Sequence, residues 1–197
     1  MNYYTELPNF PKDVLNHQYK RPVSTAPVTY WNVGIESFEQ EAIDFFLQYG
    51  LEIQNGEMFR KMPDKTGAIH SDIVWDYKKE MWVPWYCAVN LNLDDTASLM
   101  YWVSTTATEF YPEEISDRLR GIHYGKRNNN NFNTDEYKVL DVFYIHNPTL
   151  VRTHIPHTVK NLDIHKDRWC LSIRFKGNPT YEECLDRFQK DIKHEPN

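Results

Sequence analysis

Apolar and polar side chains alternate with a period of two through much of the chain, the pattern of strands that bury one face. Ile69–Trp75, Met81–Leu93, Ser98–Ser104, Tyr137–Ile145, Leu150–His154 and Arg168–Phe175 are rich in β-branched and aromatic residues and read as strands. Leu51–Gln54 and Glu57–Met62 flank Asn55-Gly56. Both central residues tolerate positive φ, which predicts two short strands around a type I′ turn. Two segments switch to helical spacing. Phe38, Ala42, Phe45, Phe46 and Tyr49 follow a Ser37/Gln40 capping box and stop at Gly50. Thr180 and Glu183 form a second box before the stripe Cys184, Leu185, Phe188 and Ile192, predicting a closing helix over 179–194. Within residues 109–120 a short helix is expected after Pro112, and 125–133 read as a polar, Asn-rich loop. The first 35 residues, rich in Pro, Tyr and Asn and without clear period, predict an extended arm wrapped over the domain. About eight short strands with a few helices predict a mainly β (α+β) fold, a double-sheet jelly roll backed by helices.

No repeat and no Gly-, Pro- or Ser-rich linker divides the 197 residues, so a single domain over 1–197 is expected. A net charge of −6 gives no global basic footprint for nucleic acid. With no run of eighteen apolar residues, no membrane span or export signal is expected. Three cysteines inside apolar patterns argue against a disulfide framework and for a reducing, cytoplasmic setting.

The chemistry is carried by three separated pieces. His70 and Asp72 lie two apart, so in a strand they project from the same face while Ser71 points away. His157 follows Pro156, which removes a backbone donor and places this His at a strand start or bulge, where side chains are re-aimed. His154 competes with it from the opposite face of a regular strand; His123, His146 and His165 read as ordinary histidines. Two imidazoles and one carboxylate form the ligand set of non-haem iron(II) oxygenases. The third piece alternates Arg168, Cys170, Ser172 and Arg174 against Trp169, Leu171, Ile173 and Phe175. The second face is core. Two guanidiniums beside a hydroxyl on the first suit bidentate recognition of a carboxylate.

The order His-x-Asp, long gap, His, short gap, Arg within a final strand resembles the 2-oxoglutarate and iron(II)-dependent oxygenases, over roughly Ala68 to Phe175. Arg-Trp-Cys-Leu-Ser-Ile-Arg-Phe is similar to the final strand of AlkB-type nucleic-acid demethylases, and Pro-His-x-Val before it is similar to short phage and bacterial members. The resemblance implies a double-stranded β-helix, a cupin-like jelly roll, with its catalytic core over 68–175. It implies His70, Asp72 and His157 as iron ligands, with His157 rather than His154 as the third. It implies Arg168, eleven residues past His157, as the residue binding the distal carboxylate of 2-oxoglutarate, with Ser172 its hydrogen-bond partner and Arg174 secondary. The cofactors implied are Fe(II), 2-oxoglutarate and O2. The activity implied is a dioxygenase coupling oxidative decarboxylation of 2-oxoglutarate to C–H oxidation.

The departures are specific. Cys170 stands where many members carry Ser, and Ala97–Trp102 replaces the Gly-rich stretch of prolyl-hydroxylase-like members. The retained Asp72 favours hydroxylation over halogenation. Tyr86 and Asn90, on the polar face of the strand after Trp82, are candidate pocket-lining residues; Lys126 and Arg127 are a basic pair in a loop. A small molecule or a protein side chain is favoured as substrate over nucleic acid; its identity and the oligomeric state are not specified by these patterns. The rival readings are a cupin-like metal protein that does not use 2-oxoglutarate and a non-catalytic binding module that retains the fold. Arg168 speaks against the first and the intact triad against the second.

Overall fold

A computed structural model describes residues 1–23, 25, 28–96, 98–106, 109–110, 121–124 and 136–190. The short helix expected after Pro112, the Asn-rich loop with Lys126 and Arg127, and the end of the closing helix at Ile192 lie outside these. In chain order come β1 (Tyr4–Glu6), β2 (Val28–Val33), a 3-10 turn at Ile35–Ser37, α1 (Gln40–Leu47), β3 (Ile53–Lys61) and β4 (His70–Asp76). Then follow β5 (Met81–Pro84), β6 (Cys87–Asn92), β7 (Ser98–Thr105), β8 (Glu109–Phe110), β9 (Gly121–Tyr124) and β10 (Tyr137–Ile145). The chain closes with β11 (Thr149–Arg152), β12 (His157–Asn161), β13 (Arg168–Phe175) and α2 (Tyr181–Lys190).

The strands form two antiparallel sheets, as the alternation predicts for a mainly β sandwich. One runs β1-β11-β6-β13-β3-β2; the other runs β10-β7-β12-β4-β9-β8, with β5 paired to β4. Ala88 and Val151 from the first sheet meet Met100, Trp102 and Ile145 from the second in a fully buried inter-sheet cluster. The outer face of the first sheet is covered by the helices. Phe45 and Phe46 of α1 and Tyr181, Cys184 and Phe188 of α2 pack with Val89, Leu91, Leu150, Leu171, Ile173 and Phe175. The apolar face of β13 is therefore core, as its alternation predicts, but its polar face is not solvated: Arg168, Cys170, Ser172 and Arg174 are each 2% exposed. That face looks into the space between the sheets.

Several local expectations change. The extended N-terminal arm contributes two sheet strands, β1 against β11 and β2 against β3. The predicted hairpin at Asn55-Gly56 is one continuous strand, β3, whose register against β13 shifts beside Gln54. Gly56 is there for space rather than for a turn. A Cβ at Gly56 would lie 2.8 Å from Leu171 Cδ1 and 2.9 Å from Phe38 Cζ, too close for either to stay put. Ser37 does not cap α1; Glu39 holds that position without a side-chain bond, and Ser37 sits in the preceding 3-10 turn. Gly50, at φ 66°, ends the helix as expected. The second capping box forms: Thr180 N–H donates to Glu183 Oε2 at 2.7 Å and Glu183 N–H to Thr180 Oγ1 at 3.2 Å. No helix among the described residues is long and apolar enough to cross a membrane.

Gly56→Ala is expected to destabilise the fold by about 1–3 kcal/mol through overpacking between α1's approach and β13. Urea unfolding of the variant checks this; an unchanged midpoint would mean that the close approach is not a constraint.

Candidate metal centre

β4 places His70 and Asp72 on one face by simple alternation, while Ser71 turns the other way and meets the Tyr124 hydroxyl at 3.1 Å. β12 starts at His157, immediately after Pro156, and pairs His157 directly opposite His70. Directly opposed residues in antiparallel strands share a face. The three side chains therefore converge: one ligand atom from each of His70, Asp72 and His157 lies within 4.8 Å of the others. Asp72 Oδ1 stands 3.5 Å from His70 Nε2 and 4.0 Å from His157 Nε2.

Backbone carbonyls set the orientation of both rings. His70 Nδ1 lies 2.9 Å from the Ala68 carbonyl and His157 Nδ1 lies 2.8 Å from that of Ile155. A carbonyl only accepts, so each Nδ1 carries the proton and each Nε2 lone pair faces Asp72. Burial, reinforced by the neighbouring His157, lowers the His70 pKa to about 4, and burial lowers that of His157 as well. Both rings are neutral near pH 7, the form that binds metal. For Asp72, burial opposes the charge, but the Arg174 guanidinium, by charge and hydrogen bond, outweighs it and holds the carboxyl below its ordinary value.

Arg174 fixes which oxygen is offered. Its Nη2 donates to Asp72 Oδ2 at 2.5 Å and to Glu57 Oε2 at 3.4 Å, its Nη1 reaches Thr153 Oγ1 at 3.3 Å, and it lies over the Trp85 ring at 5.0 Å. Oδ2 is thereby occupied and Oδ1 remains for an ion. Two imidazole nitrogens and one carboxylate oxygen fit a divalent first-row transition ion with positions left open, iron(II) among them. The sequence reading placed Arg174 with the cosubstrate; in the structure it clamps the ligand carboxylate instead.

Arg168 sits at the far end of the same β13 face, its Nε and Nη2 buried and without a hydrogen-bond partner among the described residues. Orphaned guanidinium nitrogens in a dry interior are costly unless an anion meets them. Lys61 is its directly opposed neighbour on β3. Between the two ends lies Ser172, opposed on one side to Glu57 and on the other to Asn90, whose Oδ1 is also buried without a partner. Metal cluster, Ser172, Asn90 and Arg168 therefore border one polar interior.

Tyr86 makes contacts that lead elsewhere than to the metal cluster. Its carbonyl accepts from Thr153 N–H at 3.1 Å, and its ring lies against His154 at 5.5 Å. His154 accordingly stands apart from the cluster, and from this stretch it is Trp85, 2% exposed under Arg174, that reaches it. His123 is directly opposed to His70 on β9, its ring 5.8 Å away. Lys61, Glu57 and Trp85 were not singled out from sequence, and His123 reads there as an ordinary histidine. Taking Ile53–Lys61 as one strand puts Asn55, Glu57, Phe59 and Lys61 on a common face, and that alternation was the available signal.

No known family model matches the chain, and no curated protein matches it in sequence. Among solved structures it is similar to E. coli ycfD, with a TM-score of 0.42 and 10% identity over 95% of this chain and 49% of that one. The chain thus spans about half the length of ycfD.

Arg174→Met should leave Asp72 without its buried counter-charge and destabilise the metal-free protein by about 3–5 kcal/mol. Zinc(II) should restore part of that stability. Chemical denaturation with and without zinc checks it; a variant as stable as wild type would mean that Arg174 does not hold Asp72.

Proposed function

We propose that the chain is a non-haem iron(II), 2-oxoglutarate-dependent dioxygenase, a hydroxylase that couples oxidative decarboxylation of 2-oxoglutarate to oxidation of a substrate C–H bond. The observation that carries this reading is that the buried His70–Asp72–His157 set and the unpartnered Arg168 border the same inter-sheet space. A metal site alone would suit many proteins. A metal site facing a buried, unneutralised guanidinium suits one whose second ligand is an anion. The strand orders β3-β13-β6-β11 and β4-β12-β7-β10, each interleaving early and late strands, support the double-stranded β-helix form of the sandwich.

Iron(II), 2-oxoglutarate and O2 together supply the oxidising chemistry when bound. The chain's own groups do the rest. His70 and His157 present Nε2 lone pairs, held in plane by the Ala68 and Ile155 carbonyls. Asp72 presents Oδ1 while Arg174 keeps Oδ2 occupied. Arg168, with Ser172 between it and the metal ligands, anchors the distal carboxylate. Met100, Trp102 and Ile145, all fully buried, seal the adjacent inter-sheet space and keep water from it. His70 is the open side of the cluster: its side chain retains 30% exposure against 6% for His157, so the substrate approaches over His70. The net charge of −6 favours a small molecule or protein side chain over nucleic acid there. A cupin-like metal protein without 2-oxoglutarate would leave buried Arg168 with nothing to bind.

Purified protein given iron(II), ascorbate and 2-oxoglutarate, without a prime substrate, is expected to release succinate slowly. Asp72→Ala should abolish that release. Wild-type release no greater than that of Asp72→Ala would defeat the reading.

A further inference from the structure

The face that carries Arg168 carries a second buried cation that the metal cluster does not use. Lys61, 7% exposed, is directly opposed to Arg168, 2% exposed, so both side chains leave their strands toward the same interior. Lys61 crosses the gap between the sheets, and its Nζ donates to the Val159 carbonyl of β12 at 2.5 Å. Room for it is made by Gly67, where a Cβ would lie 2.8 Å from Nζ. An ammonium has three donors and the carbonyl takes one. Arg168 adds buried Nε and Nη2 without partners.

No salt bridge to Lys61 is present among the described residues, and the charge beside it, Arg168, has the same sign. Burial and then Arg168 lower its pKa to about 7, and the Cys170 thiol on β13 only partly opposes them. His70 on β4 and His157 on β12 also feel Lys61, and both are neutral imidazoles. Without an anion, two buried cations repel each other, and the amine relieves this by losing its proton. With a carboxylate between them the balance reverses, because a guanidinium fork and an ammonium both pair with it in a medium that screens poorly.

Building on the oxygenase reading, we propose that Lys61 and Arg168 together clamp one carboxylate of bound 2-oxoglutarate, and that closing the clamp draws one proton from solvent onto the Lys61 amine. The sign follows directly. Below about pH 7 the amine is already protonated and binding is independent of pH. Above it, binding takes up a proton, and affinity falls by up to about tenfold per pH unit.

The test is calorimetric titration of the manganese(II)-loaded full chain with 2-oxoglutarate, without oxygen, in two buffers of different ionisation heat. At pH 8.5 the wild type should take up close to one proton, and at pH 6 close to none. Lys61→Met should bind at least tenfold more weakly at pH 6 and show no proton uptake at either pH. Lys61→Arg, which keeps a permanent charge and guards against misfolding of the Met variant, should bind without proton uptake. Wild-type binding with no proton uptake at pH 8.5, or a Lys61→Met variant with wild-type affinity and proton count, overturns the clamp while leaving the oxygenase reading intact. Failure of the wild type to bind 2-oxoglutarate at all overturns both.

Discussion

The contact on which the site depends is the Arg174–Asp72 pair, with Glu57 as its third member. Burying a carboxylate costs several kcal/mol unless partners replace the lost water. Here the Arg174 guanidinium meets both Asp72 and Glu57, beside two neutral imidazoles whose lone pairs face Asp72. The Asp72 Oδ1 that Arg174 leaves open is the oxygen a cation would take. The other end of the same interior carries the directly opposed cations Arg168 and Lys61. A divalent ion at Asp72 and a dicarboxylate reaching to these cations would supply each end with its counter-charge.

The sandwich makes this arrangement rigid. The candidate metal ligands come from adjacent strands of one sheet, β4 and β12, and the cations from adjacent strands of the other, β13 and β3. Strand pleat sets each side chain's direction, and the inter-sheet cluster around Met100 and Trp102 sets the gap across which they meet. Trp102 is itself directly opposed to His157, so packing and ligand geometry are joined at that residue. The helices lie on the far side of the first sheet and stabilise it without entering the site.

How much of this was legible in the sequence depended on whether a feature is local. Strands β10 and β13 and the capping box at Thr180 follow from short-range pattern and were readable to the residue. His70 and Asp72 share a face by alternation alone, and their meeting with His157 followed from the ligand pattern. Three things were not readable because tertiary contacts decide them. Asn55-Gly56 has turn chemistry, yet Gly56 is paired on both sides, with Ile173 of β13 and Val33 of β2, and the chain runs straight through it. The arm lacks a clear period because β1 and β2 are edge strands, short in one case and weakly amphipathic in the other. The roles of the two arginines depend on which carboxylates lie across the gap, and no spacing along β13 encodes that. A polar face on a strand reads as solvated, whereas here both faces of β13 are buried.

The central claim is that one interior holds both a metal ion on His70, Asp72 and His157 and a 2-oxo acid anchored at Arg168. The most direct measurement is the visible absorption spectrum of the protein with iron(II) and 2-oxoglutarate in the absence of oxygen, since chelation of iron(II) by a 2-oxo acid produces a charge-transfer band that neither component has alone. The account predicts that the band appears for the wild type, vanishes in Asp72→Ala, and requires more 2-oxoglutarate in Arg168→Met. A wild-type spectrum without the band at saturating iron(II) and 2-oxoglutarate would contradict it.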